Sequence, residues 1–168
     1  MTFINLRCID LDFCGYRVCL TEIELLELAS AWPRLEVFKI NKEWGWHTRS
    51  GITPNGLLQL LQACRSLNQI ALAIDTRGYT VFSQSPASLG LTLPRTFSID
   101  VLDSIIEEES VAVIAAFFTS IALHSNFSLY YWQTDEMRMM EPLNRILDEY
   151  HWGEVYKLVK SVTIGQYS

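Results

Sequence analysis

The segment from Thr21 to Leu72 holds the same pattern twice, and no other feature constrains the fold as strongly. Thr21 to Ile40 overlies Thr53 to Leu72 at an offset of 32, with identity at Thr21/Thr53, Leu25/Leu57, Leu26/Leu58, Leu28/Leu60, Ala31/Ala63 and Leu35/Leu67. Each copy reads as a helix followed by a short strand. Thr21 with Glu24 forms a Ser/Thr-x-x-Glu capping box, so the first helix starts there. Ile23, Leu25, Leu26, Leu28, Ala29 and Trp32 give it a broad apolar face, and Pro33 stops it. In the second copy Pro54 follows Thr53 at the first helical position, where a missing N–H has no consequence. Leu57, Leu58, Leu60, Leu61 and Cys64 supply its buried stripe.

A Leu-x-x-Leu-x-Leu template extends this unit along the chain. It fits Leu6/Ile9/Leu11, Leu35/Phe38/Ile40, Leu67/Ile70/Leu72, Thr96/Ile99/Val101 and Phe127/Tyr130/Trp132, at successive offsets of 29, 32, 29 and 31. Five such triples with helical patterns between them are the signature of a leucine-rich-repeat array. The expected fold is therefore an α/β solenoid of about five strand-helix units, residues 1–168 forming a single domain. It has a parallel sheet on its concave face and helices on its convex face.

The third unit breaks the regularity. Gly78, Pro86, Gly90 and Pro94 leave no room for a long helix, so an irregular loop is expected over about 75–94, with at most one turn around Pro86 to Leu89. The fourth unit resumes with a helix from about Glu107 to Leu123, its first-turn glutamates matching the helix dipole. Val111 to Phe118 is apolar nearly all round, which predicts packing on more than one side. A closing helix is expected from about Pro142 to Val162, as the cap of the array. Met1-Thr-Phe-Ile leads straight into a strand. The resulting open edge is a pairing liability and implies a missing N-terminal part or a partner that covers it.

Composition narrows the function. The 168 residues carry a formal charge of -6 with 13 Lys and Arg scattered along them, which disfavours nucleic acid. No apolar run is long enough to span a bilayer, and no signal peptide precedes the first strand. Cys8, Cys14, Cys19 and Cys64 lack Cys-x-x-Cys spacing, which fits reduced thiols in an intracellular protein, cytoplasmic or nuclear. His47, His124 and His151 are isolated, and no phosphate loop or nucleophile elbow occurs. No catalytic residue, metal or cofactor is assigned.

Strand alternation then selects the residues between anchors as the concave face. These are Cys8, Asp10 and Asp12; Val37, Lys39 and Asn41; Gln69, Ala71 and Ala73; Ser98, Asp100 and Leu102; Leu129, Tyr131 and Gln133. From them Asp10, Asp12, Lys39, Asn41, Gln69, Asp100, Tyr131 and Gln133 are candidate contacts for a protein partner, with Lys39 and Tyr131 as anchors. Trp44, Trp46, Arg77 and Tyr79 are loop candidates. The two tryptophans either stack on a ligand or fold back onto their own repeat.

Several runs also carry a family likeness. Ala31-Trp-Pro-Arg-Leu35, Ile52-Thr-Pro-Asn-Gly-Leu-Leu-Gln-Leu-Leu-Gln-Ala-Cys-Arg-Ser-Leu67 and Leu72-Ala-Ile-Asp75 resemble the C-terminal leucine-rich repeats of fungal F-box-like proteins, particularly those of mushroom-forming fungi. Val111 to Phe118, Trp132 and the Tyr150 to Leu158 helix resemble that family's last repeat and closing helix. The resemblance implies a recognition role. In that family an F-box docks to the adaptor of a cullin-based ubiquitin ligase, and the repeats recruit the substrate. No F-box-like segment is found in this chain, which leaves the recognition half. The alternative is a truncated or degenerate repeat protein that self-associates through its open N-terminal strand edge, with no ligase role.

Overall fold

A computed structural model describes residues 5–81, 91, 93–122, 125–132 and 144–164. Along the chain run β1 (Cys8–Leu11), α1 (Glu22–Ala31), β2 (Val37–Ile40), α2 (Pro54–Ala63), β3 (Gln69–Ala71) and β4 (Thr96–Asp100). A 3-10 turn at Glu108–Ser110 leads into α3 (Val111–Ala122), followed by β5 (Asn126–Tyr130) and α4 (Asn144–Ile164). The strands form one all-parallel sheet in the order β1-β2-β3-β4-β5. Each strand lies beside its predecessor, so every crossover steps the same way. Crossovers of one hand then carry the helices to one side of the sheet and leave the other side without a helix among the described residues.

The burial pattern agrees. Ile9 pairs with Phe38, Phe38 with Ile70, Ile70 with Ile99 and Ile99 with Leu129, steps of 29, 32, 29 and 30 residues. Phe38, Ile70, Ile99 and Leu129 are buried in one core with Leu25, Leu57, Leu61 and Phe118 from the helices. Ile9, on the edge strand, is only partly covered.

The last step differs from the expected 31. The spacing predicts Tyr130 as an inward anchor, but Leu129 takes that place. A one-residue slip exchanges the two faces of a strand. The cause is aromatic packing: Phe127 stacks on Phe97 at 5.9 Å and on Phe118 at 6.0 Å, which sets Phe127 opposite Phe97. In β4, likewise, Thr96 is exposed and Phe97 is buried in its stead.

The helix starts follow the capping chemistry. Thr21 N donates to Glu24 Oε2 at 2.8 Å and Glu24 N donates to Thr21 Oγ1 at 3.3 Å. The bond from Thr21 N, with a second from Thr21 Oγ1 to Glu24 Oε2 at 2.8 Å, holds the Glu24 carboxyl below the usual carboxylate range. Gly56 N donates to Thr53 Oγ1 at 3.2 Å, with Pro54 in the first turn. Leu57, Leu58, Leu60, Leu61 and Cys64 are all buried. The face of α1 is narrower than its composition suggests, because Leu25 and Ala29 are buried while Ile23 is 72% exposed. Two residues are roughly 200° of helix rotation, so Ile23 points away from Leu25.

The N-termini of α1 and α2 are tied together. Glu22 Oε2 accepts from Thr53 N at 3.1 Å and from Thr53 Oγ1 at 2.6 Å. Gly56 leaves room for that carboxylate, since a Cβ there would meet Glu22 Oε2 at 2.5 Å. Replacing Glu22 by Ala removes a charge-assisted acceptor and is expected to destabilise the protein by about 1.5 kcal/mol. Urea denaturation checks this, and an unchanged midpoint would show that the bridge contributes nothing.

A second set of hydrogen bonds links successive units away from the sheet. Val18 N donates to Trp46 O, Asp75 N to Ile52 O and Thr76 N to Ile105 O, with parallel bridges Thr21–Gly51 and Asp75–Ile105. Buried hydroxyls satisfy further backbone groups: Ser50 Oγ donates to Ala73 O, Ser110 Oγ to Thr76 O, and Ser104 Oγ accepts from Ile74 N. Between β3 and β4 no helix occurs among the described residues. The expected turn at Pro86 to Leu89 lies outside the described residues, as do Leu123 and Pro142. α4 packs on α3, with Trp152, Val155 and Val159 in the core. Its Asp148 accepts from Ile106 N at 2.9 Å and its His151 Nδ1 donates to Ile106 O at 3.1 Å.

Candidate functional site

The uncovered face of the sheet carries two rows of side chains. Across the strands in register, one row reads Cys8, Val37, Gln69, Ser98 and Ser128, and the other Asp10, Lys39, Ala71, Asp100 and Tyr130. A shallow concavity of 330 Å³ lies over β2 to β5, lined by Lys39, Lys42, Gln69, Ala71, Ser98, Asp100 and Tyr130. Ala71, in the middle of the row, is buried.

The charges on this face differ in character. Lys39 Nζ lies 3.7 Å from Asp10 Oδ2, with the aspartate half exposed, and such a pair contributes little. Asp100 sits deeper. Burial pushes its carboxyl above the ordinary aspartate range, opposed by the hydrogen bond from Leu102 N and by the positive charge of Lys42, and reinforced by Glu43. Leu102 N donates to Asp100 Oδ1 at 3.1 Å, from a residue in the left-handed region at φ 50°. Tyr130 stands beside Asp100 on the neighbouring strand, 56% exposed.

Lys39, Gln69 and Asp100 thus meet on the open face, with Asp10 at its rim. Other expected members lie elsewhere. Tyr131 is half-buried, its ring 6.1 Å from that of Tyr156 on α4, so the aromatic residue of this face is Tyr130. Leu129, Ala73 and Leu102 are buried. Gln133 lies outside the described residues.

Asn41 is fully buried. Its Oδ1 accepts from Phe13 N at 2.5 Å and its Nδ2 donates to Gly45 O. Its φ of 57° takes the chain out of the strand, so alternation ends at Ile40. Asp12 Oδ1 accepts from Glu43 N at 3.0 Å, joining two loops.

The tryptophan loop divides. Trp46 is buried and its Nε1 donates to Ile40 O at 2.9 Å, whereas Trp44 is 46% exposed. Asp103 holds the loop, accepting from Trp46 N and His47 N at 2.8 Å each. Arg77 is committed to Asp75 through Nε at 3.0 Å and Nη2 at 2.9 Å, and Arg49 Nε reaches the same carboxylate at 2.7 Å. Burial pushes the Asp75 carboxyl upward, with the Arg49 charge opposing it. Tyr79 packs against the core. These residues brace loops.

Tyr130 was hidden by the template, but a signal for it exists. Phe97-Ser98-Ile99 and Phe127-Ser128-Leu129 repeat at 30 residues, the register observed. Among the described residues no group of three or more His, Cys, Asp or Glu is placed to hold a metal ion. Nor is any described helix long and apolar enough to cross a membrane. Cys8, Cys14 and Cys19 are exposed free thiols, while burial pushes the Cys64 thiol up and keeps it protonated. Comparison with protein-family models, curated proteins and solved structures returned no match.

Proposed function

We propose that the chain is a leucine-rich-repeat solenoid that acts as a non-enzymatic protein-interaction module. The observation that carries this reading is the uncovered face of a five-stranded parallel sheet, with polar, charged and aromatic side chains aligned in rows. The near-constant steps of about thirty residues between paired strands support the repeat assignment. By the family resemblance, the partner is a protein destined for ubiquitination, and the chain is the substrate-recognition region of an F-box-like ligase adaptor.

The test uses a partner first identified by crosslinking from Gln69 and then purified. Tyr130→Ala is expected to weaken its binding at least about tenfold, as loss of a central aromatic does. Gln62→Ala on the exposed side of α2 should leave binding unchanged. Equal affinities for wild type, Tyr130→Ala and Ala71→Arg would overturn the open face as the site. A partner whose cellular lifetime is unaffected by deleting the chain would overturn the ligase role.

A second reading has its own observation. Beside the outer edge of β1, which pairs with no other described strand, Leu6, Ile9, Leu11, Leu28, Trp32, Phe38 and Ile40, with Cys8 and Asp10, line a mostly apolar hollow of 440 Å³, and Leu11 and Phe13 are 46% and 44% exposed. Such an edge suits pairing with a second copy. Light scattering at the mass of a single chain would remove this reading.

A further inference from the structure

We infer that the floor of the open face is a specificity pocket for one basic side chain, Lys or Arg, of an extended partner segment, held between the Asp100 carboxylate and the Tyr130 ring. The inference rests on the interaction reading proposed above and adds the chemistry of the partner.

Asp100 carries a charge on which Lys42 acts without forming an ion pair. Its Oδ1 accepts the one hydrogen bond from Leu102 N, and among the described residues no ion pair engages it. A desolvated carboxylate without a cation in direct contact is unfavourable in the free protein. An incoming cation repays that penalty, so the bound state gains what the free state lacks.

The surroundings suit a cation. Tyr130 presents an exposed ring next to Asp100 on a strand roughly 4.8 Å away. A guanidinium or ammonium against that carboxylate can lie over the ring face and gain a cation–π contact. Ala71, on the other side of Asp100, is buried at the floor of the concavity. Lys39 is drawn to Asp10 at 3.7 Å, away from this position. Gln69, Ser98 and Ser128 run alongside with hydrogen-bonding groups for a peptide backbone. Lys39 and Lys42 flank the pocket, so an acidic residue near the basic one completes the match.

The probe is a phage-displayed random dodecapeptide library, panned on the purified protein. Selected peptides are expected to share one Lys or Arg position. A selected arginine peptide and its citrulline analogue, which has the same shape without the charge, are then titrated by fluorescence anisotropy. Citrulline is expected to weaken binding to wild type by roughly thirtyfold, as loss of one member of a buried charge pair does.

Asp100→Asn should bind both peptides about equally, which closes a double-mutant cycle. Asparagine keeps an acceptor for Leu102 N and removes a charge that burial disfavours, so the fold is retained. The arginine peptide should also lose affinity on acidification at a higher pH than an ordinary aspartate would set, because burial raises the proton affinity of Asp100.

Peptides that lack a shared basic position, no selected peptide at all, or a cycle without coupling would each overturn the pocket. If such peptides are still blocked by Ala71→Arg, the open face survives as an interaction site without it. Peptides indifferent to every substitution on this face would remove both readings.

Discussion

Replacing Trp152 by alanine is expected to destabilise the protein by about 3–5 kcal/mol, the largest effect of any single truncation argued for this chain. Its ring is 1% exposed and centred 6.2 Å from that of Phe118. Phe118 stacks in turn on Phe127 of β5, and Phe127 on Phe97 of β4. Trp152 therefore ends a line of aromatics that runs from α4 through α3 into the last two strands. It is also anchored at its polar end, since its Nε1 donates to Ser104 O at 2.9 Å. Alanine opens a cavity and leaves that carbonyl without its donor. Phenylalanine restores much of the volume but not the donor, so Trp152→Phe should recover most of the loss and retain a deficit of about 1–2 kcal/mol. Urea denaturation followed by circular dichroism measures both. For a chain of this length the alanine variant should melt lower by about 10 °C. A loss below about 1 kcal/mol would mean that α4 is a loose appendage rather than part of the core.

That aromatic line also decides what the sequence could and could not reveal. Local chemistry was readable: Thr21 and Thr53 with their capping partners, Pro54 and Pro33 fix where α1 and α2 begin and end, because each acts within one turn of helix. Strand faces were readable where apolar residues alternate with polar ones, as around Phe38 and Ile70. At Phe127-Ser-Leu-Tyr-Tyr-Trp132 alternation is ambiguous, because five of six residues are large and apolar or aromatic. Packing against Phe97 and Phe118 then chooses the register, and the choice puts Tyr130 rather than Tyr131 on the open face.

Asn41 departs from the alternation for another reason. A pattern of alternation carries no information about where the backbone leaves the strand, and a left-handed asparagine ends it abruptly. Asp103 could not be found locally at all, since its hydrogen-bond partners Trp46 and His47 are 57 and 56 residues away in sequence. Alternation places Asp100 on the sheet face, but it carries no sign that the fold desolvates the carboxyl.

The bracket formed by Asp103 and the tryptophan loop gives the second large effect. Gly45→Ala is expected to destabilise the protein by about 2–4 kcal/mol, from two separable causes. Gly45 has a φ of +72°, a conformation in which a Cβ is strained by about 1–2 kcal/mol. The added Cβ would also lie 2.6 Å from Trp132 Cη2, 2.8 Å from Trp132 Cζ2 and 2.9 Å from Asp103 Cγ. Those contacts are too short for either neighbour to remain in place, and Asp103 cannot move without releasing Trp46 N and His47 N. Gly78 separates the causes, because its φ is +73° and nothing lies within 4 Å of where its Cβ would be. Gly78→Ala should therefore show the backbone strain alone, and the difference between the two variants measures the clash. Adding Trp132→Ala to Gly45→Ala should return part of that difference, since the ring is the nearer obstacle. Equal losses for Gly45→Ala and Gly78→Ala would mean that the loop does not press against Trp132. The end of the open face would then lack the support that holds β5, and with it Tyr130, beside Asp100.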